Sequence, residues 1–354
     1  MKLEALGFDR WFENKLIESG KTGYHMARVI SINKGSYTVR NEDGESLAEL
    51  AGEFIYSAES YLQYPAVGDW AYVQYYNDNN LAIIHDLLPR KTILRRKTAG
   101  KNIDYQLIAA NIELAFVIQS CDSNFNIHRL ERYLVMISDG QIVPVILLSK
   151  SDLVSQGDLD IKILTIKDTG TKCEIITYSV ETGAGLPQIH QLLKYGMTYC
   201  LLGSSGVGKT TLLNHLTGRS EFRTNTIREK DGKGRHTTSR RQLVVLEQGG
   251  MLIDTPGMRE LGNIDMDSGI ENTFFDILKV SDTCRYKDCT HTKEPDCSVL
   301  QAVQSGSINE NHYQDYLNLK RESEYYQLSY LEKRRKDRKF GQFIKTAKKQ
   351  TKNK

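Results

Sequence analysis

The chain is short of most features that would take it out of water or lock it covalently. Its 354 residues include 6 cysteines, 6 prolines and 2 tryptophans. The longest largely apolar run centres on residues 143–148, well below the roughly 20 residues a membrane helix needs, so no transmembrane segment is expected. No secretory leader is read at the start, which points to the cytoplasm, where disulfides are rare and cysteines serve as core residues or metal ligands. Nor is there an excess of one charge, since 47 basic against 44 acidic residues give +3, a balance that selects no class of partner. No internal repeat is present. What remains is a composition with 40% apolar residues, enough for two or three domains with cores of their own.

The first chemistry-bearing pattern is Gly203-Ser204-Ser205-Gly206-Val207-Gly208-Lys209-Thr210. Its glycines let the backbone turn tightly and aim N–H groups at phosphate oxygens, with a helix N-terminus adding positive potential. Lys209 is expected to reach the β- and γ-phosphates, with Thr210 on Mg²⁺ and Thr211 beside it. The flanks agree: residues 197–202 read as a buried strand and residues 211–218 as a short helix ending at Gly218. Downstream, residues 243–257 read as two apolar strands closed by Asp254-Thr255-Pro256-Gly257. Asp254 is expected to hold the Mg²⁺ and the Gly257 amide to sense the γ-phosphate. Between these elements, residues 233–239 place Thr237 or Thr238 where it can close over the metal.

Missing after residue 257 is any Asn-Lys-x-Asp segment to read a base. The nearest match lies upstream, where residues 141–148 form a strand running into Ser149-Lys150-Ser151-Asp152. The Asp152 carboxylate can accept both the N1–H and the 2-amino group of guanine, which adenine lacks, and the Lys150 stem can cover the ring. A second strand leads into Ser179-Val180-Glu181, whose backbone is placed to meet guanine O6. The order is base, base, phosphate, switch and metal, which looks like a circularly permuted GTPase.

Cys284, Cys289, His291 and Cys297 follow, spaced Cys-x4-Cys-x-His-x5-Cys. Three thiolates and an imidazole suit one closed, tetrahedral, structural Zn²⁺. Cys121, Cys173 and Cys200 lie in or beside apolar strands and read as core. Residues 320–354 carry 13 Lys or Arg and 4 Asp or Glu, a local +9, which leaves −6 for the rest. That basic tail, with Tyr313, Tyr316, Tyr325, Tyr326 and Tyr330 before it and Phe340 and Phe343 within it, suits stacking and phosphate contact with RNA. At the other end, residues 24–88 hold short strands between turn signals, the pattern of a five-stranded OB-fold, and residues 3–16 read as one amphipathic helix.

Together these motifs resemble the bacterial ribosome small-subunit-dependent GTPases, the RsgA/YjeQ family, across nearly the whole chain. The resemblance implies an α/β protein with an N-terminal helix and OB-fold β-barrel over 1–95, a circularly permuted P-loop GTPase domain over 96–265, and a helical zinc-binding domain with a basic tail over 266–354. It implies a monomeric factor, away from membranes, that acts late in small-subunit maturation, binds ribosomal RNA, hydrolyses GTP to GDP and phosphate under ribosomal stimulation, and is then released. Two departures stand out. Ser149 occupies a place where the family usually has Asn, and Met258, after Gly257, cannot orient water, so His236 is the internal candidate for that role. Two other functions fit the residues less well: a nucleotide-gated RNA binder with little turnover, and an ATP-using P-loop enzyme.

Overall fold

The computed structural model describes residues 2–33, 36–77, 79–97, 105–218, 241–254, 270 and 273–327. The segment expected as one helix over 3–16 is broken. A short 3₁₀ turn, Leu3–Leu6, ends at Gly7 in the left-handed region, and helix α1, Arg10–Ser19, starts afresh on Asp9. The Asp9 carboxylate accepts the amides of Trp11 and Phe12, a capping arrangement that competes well with helix continuation. A side chain at Gly7 would also meet the Gly196 carbonyl at 2.8 Å, so the turn can press on the later domain only as glycine.

Strands β1 (His25–Asn33), β2 (Ser36–Arg40) and β3 (Glu45–Leu50), helix α2 (Gly52–Ser57), and strands β4 (Trp70–Tyr76) and β5 (Leu81–Leu87) follow. Pairing in the order β1-β2-β3-β5-β4, with β4 returning to β1, closes a five-stranded barrel of the OB type. Val29, Val39, Ala48, Ala71, Val73 and Ile84 fill it; β3 alternates buried with exposed residues as period-2 patterning demands, whereas β1 and β4 are buried on both faces through most of their length.

A hairpin, β6 (Ile93–Lys97) and β7 (Tyr105–Ala110), leads into β8 (Leu114–Ser120), α3 (Ile127–Asp139), β9 (Val143–Ser149), α4 (Gln156–Lys167) and β10 (Glu174–Thr177). Next come α5 (Leu186–Leu192), β11 (Thr198–Leu202), α6 (Lys209–Thr217), β12 (Arg241–Val245) and β13 (Met251–Asp254). The sheet order is β10-β9-β8-β11-β13-β12, parallel except for β12. The chain therefore builds outward from β8 through β9 to β10, then returns to β8's other side with β11. That reversal between β8 and β11 is a topological switch point, where a crevice opens beyond the strands' carboxyl ends. The outermost strand, β12, pairs with β1 through Ser31↔Gln242 and Ile32↔Arg241, so one continuous sheet runs from the barrel into this domain.

Helices α7 (Phe275–Ser281), α8 (Ser298–Gln304) and α9 (Glu310–Gln327) complete the described chain. Phe274, Ile277, Val299, Tyr316 and Leu317 join the same hydrophobic cluster as Tyr133 and Leu134 of α3, so this unit is packed onto the α/β domain. Among the described residues, no helix is long and apolar enough to cross a membrane.

Candidate functional site

The switch point locates the phosphate-loop motif. Residues 203–208 leave β11 toward the crevice and α6 begins at Lys209, with Gly208 as its N-cap. Gly203 sits so close to β8 that a Cβ there would lie 2.5 Å from the Ile118 carbonyl, while Gly206 and Gly208 hold φ of 82° and 93°. Only glycine meets both demands without strain. The Lys209 ammonium donates to the carbonyls of Gly203 at 2.7 Å and Ser204 at 2.5 Å, spanning the loop's mouth. Thr210 and Thr211 lie half-buried in the first turn of α6. The loop thus offers an ammonium and a helix N-terminus to one region of space, the arrangement that binds phosphate.

The two upstream motifs end the strands on β8's far side. Ser149 is buried at the end of β9, and its hydroxyl donates to the Val207 carbonyl at 2.7 Å. It therefore ties the base-side strand to the underside of the phosphate loop. Lys150 adopts a left-handed backbone, Ser151 donates its amide to the Tyr178 carbonyl at 3.2 Å, and Asp152 is exposed at the surface. Ser179 is buried and Val180 half-buried after β10, with the Ser179 hydroxyl accepting the Thr182 amide at 3.2 Å. The loops of β9, β10 and β11 therefore meet along one edge of the sheet.

Several residues at this edge carry no signature in the sequence. The loop after β8 brings Asp122 to Lys150 at 2.8 Å, and Asn124 donates its side-chain amide to the Ser205 carbonyl at 3.0 Å. Burial works to raise the Asp122 pKa but is outweighed by Lys150, Ser120 and the Asn124 amide, which bring it down to about 2. Tyr178 lies buried beneath Gly208, its hydroxyl close to Ser149 without a hydrogen bond of proper geometry. The one usable signal for Asp122 and Asn124 was their position, just beyond the apolar strand 114–120. Asp254 ends β13, next to β11 in the sheet. His236, Thr237, Thr238 and Gly257 lie outside the described residues, as does the basic tail from residue 328 onward.

A second site is built by four residues of one loop. The Cys284 sulfur lies 3.7 Å from His291 Nδ1 and 3.8 Å from the Cys297 sulfur, which is itself 3.5 Å from His291 Nδ1. Cys289 joins them, all four ligand atoms lying within 4.8 Å of one another. With sulfur about 2.3 Å and nitrogen about 2.0–2.1 Å from one tetrahedral centre, two sulfurs would lie about 3.8 Å apart and a sulfur and a nitrogen about 3.6 Å apart, so the donor set fits a metal ion. Burial opposes ionisation of Cys284, but the amides of Val299 and Ser298 at the start of α8 hold its thiol below the ordinary value. Tyr313 and Tyr316 correct an expectation. They are buried rather than offered for stacking, and the Tyr313 hydroxyl donates to the His291 carbonyl at 2.7 Å. They brace the Cys–His loop.

An OB-type barrel joined to a parallel sheet whose base-side strands precede its phosphate loop defines a circularly permuted P-loop GTPase. The family model described as RsgA GTPase matches residues 87–264. "Small ribosomal subunit biogenesis GTPase RsgA 2" of Lactiplantibacillus plantarum is 41% identical, the match covering 91% of this chain and 90% of the relative. A protein of Bacteroides thetaiotaomicron named "Small ribosomal subunit biogenesis GTPase RsgA 1" is 37% identical, covering 98% and 96%. Among solved structures, YjeQ from Thermotoga maritima is similar with a TM-score of 0.62 and 25% identity, covering 85% of this chain and 99% of that one. YloQ, described as a circularly permuted GTPase, shares the fold with a TM-score of 0.60, over 87% of this chain and 98% of its own. The chain belongs to the RsgA GTPase family and is a GTP hydrolase.

Proposed function

We propose that this chain binds the small ribosomal subunit late in that subunit's biogenesis, hydrolyses GTP there under stimulation by the ribosome, and leaves afterwards. The observation that carries the reading is the meeting of phosphate loop and base-side loops at one sheet edge, in the permuted order shared with relatives named for small-subunit biogenesis. Guanine selection rests on Asp152, with Lys150 over the ring and the Ser179-Val180 backbone at O6. Ser149 supports it from below through its bond to Val207. Gly203 to Thr211 cradle the phosphates, Thr210 and Asp254 hold Mg²⁺, which neutralises charge on the transferring phosphoryl group, and Gly257 senses that group. Thr237 or Thr238 closes over the metal and His236 orients the attacking water. Cys284, Cys289, His291 and Cys297 hold one structural Zn²⁺.

Ribosomal RNA is the expected ligand of the basic tail and of the barrel, where Tyr56 and Tyr61 stand exposed for stacking. The division at 1–95, 96–265 and 266–354, a monomeric state and a cytoplasmic location complete the reading. With no glutamine after Gly257, activation in trans is expected to raise turnover by roughly 10³ to 10⁵. Phosphate release from GTP, measured with and without purified small subunits, tests this. Stimulation by subunits that is abolished in Lys209→Ala supports it, and full turnover without subunits sinks it. Displacement of labelled GTP by ATP at equal concentration would overturn the guanine assignment.

A further inference from the structure

The packing of α9 on α3 brings together a second group of metal-ligand side chains, two of them buried, distinct from the Cys–His loop and on no motif. His128, Glu131 and Asp315 present one ring nitrogen and two carboxylate oxygens that all lie within 4.8 Å of one another. Glu131 is 1% exposed. One of its oxygens is bonded to His312 Nδ1, whose other nitrogen meets Asp276 at 3.1 Å. The other Glu131 oxygen is buried with no hydrogen-bond partner.

That unmatched oxygen belongs to a carboxylate facing a second carboxylate. Asp315 stands within hydrogen-bonding reach of Glu131, and neither can donate while ionised. A buried carboxylate is costly in its charged form, and a second carboxylate facing it adds repulsion. His312 serves one Glu131 oxygen and Asp276, and His128 Nδ1 meets an Asp315 oxygen at 2.6 Å, so the second Glu131 oxygen is the one left facing Asp315 without a donor. Two buried carboxylates with an imidazole alongside are a stable arrangement once a divalent cation lies between them.

From the geometry we infer that His128, Glu131 and Asp315 form a second divalent-metal site that clasps the GTPase domain to the C-terminal unit. Its donor set, one nitrogen and two carboxylates, suits a transition ion of the Zn²⁺, Mn²⁺ or Co²⁺ kind over Mg²⁺. His128 is half exposed and gives the ion its way in, while His312 holds Glu131 in orientation from behind, backed by Asp276. A hydrogen-bonded histidine and carboxylate behind a ligand are the usual means of fixing its direction. The site joins α3, which follows the loop carrying Asp122 and Asn124, to α9, whose Tyr313 braces the Cys–His loop. It thereby connects the nucleotide edge and the Cys–His cluster.

Co²⁺ titration of the untagged, metal-stripped full-length protein provides the test. Thiolate-bound Co²⁺ has an intense sulfur-to-metal charge-transfer absorption that an oxygen and nitrogen site lacks. Two equivalents are expected to bind tightly, with the charge-transfer band saturating after one. His128→Ala and Asp315→Asn should each weaken the second equivalent at least about tenfold while leaving the band and the affinity for GTP unchanged. Because His128 lies at the surface, its variant is expected to fold normally, and the retained band reports that fold. A wild-type protein that stops at one equivalent would overturn the proposal, leaving Glu131 to carry a proton. So would a second equivalent that survives both substitutions.

Discussion

The GTPase domain is gripped from two sides, and the two junctions are built from different chemistry. On the barrel side, β1 pairs with β12, and the guanidinium of Arg28 lies fully buried at the joint. Its five N–H groups all have acceptors: the carbonyls of Leu6, Gly68 and Asn111, the Thr198 hydroxyl and the Met251 sulfur. Those acceptors come from the N-terminal turn, the barrel, the β7–β8 connection, β11 and β13, so one side chain binds five pieces of backbone or core. On the C-terminal side, α9 meets α3 through His312, Glu131, His128 and Asp315, groups that change charge or accept a metal. The first junction is fixed by strand pairing and a permanent charge. The second depends on what occupies it.

The largest effect is expected at Arg28. Arg28→Met removes the charge but strands several buried carbonyls, which should cost about 1–3 kcal/mol for each one left unpaired and appear as a lower thermal midpoint with loss of the barrel–GTPase coupling. Burial lowers the Arg28 pKa from 12.5 to about 10. Folded and unfolded values both lie above neutral pH, so the proton count does not change on unfolding between about pH 5 and 9, and this junction should add no pH slope there. Next in size is His312→Asn, which leaves Glu131 without its donor. About 1–3 kcal/mol is expected, seen as faster amide exchange in α9 with β1 and β12 unaffected.

The two substitutions combined sharpen the comparison. If the junctions are independent, their costs add to within roughly 0.5 kcal/mol, and a larger deviation in a double-mutant cycle would mean that the GTPase domain transmits strain between them. The smallest effect belongs to the Lys150–Asp122 pair, which lies in neither junction. Since the folded Asp122 value is depressed, its contribution is present above the unfolded value and fades as pH falls toward about 2. Lys150→Met should therefore change stability by no more than about 1 kcal/mol at pH 7 and shrink that acid-limb contribution to the part held by Ser120 and the Asn124 amide.

What the sequence revealed was whatever depends on local spacing. The phosphate loop, the Cys–His loop, the strand-and-turn rhythm of the barrel and the permuted order are all written in short windows, where glycine placement and period-2 or 3.6 patterning have direct meaning. What it hid depends on distant segments meeting. Arg28 is one cation in a largely apolar strand until Leu6, Asn111, Thr198 and Met251 converge on it. Asp122 and Asn124 become site residues only because β8 lies beside β11. Tyr313 and Tyr316 face inward because α9 packs on α3 and the Cys–His loop, which no count of aromatics can indicate. The break between Leu6 and Arg10 was nearer to hand, since Gly7 and Asp9 are ordinary end signals, but the amphipathic period across them masked it.

The single sheet that crosses from barrel to GTPase domain gives the molecule leverage. Strand β12 hydrogen-bonds to β13 on one side and to β1 of the barrel on the other, and in the sequence it begins directly after the segment containing His236, Thr237 and Thr238. A rotation of that strand by a few degrees is small where the phosphates bind, yet it grows with distance across the barrel. The far rim would sweep through the arc of a lever whose fulcrum is the Ser31–Gln242 pair. A slight twist of that one strand would thus be all the gearing needed to tilt the whole barrel.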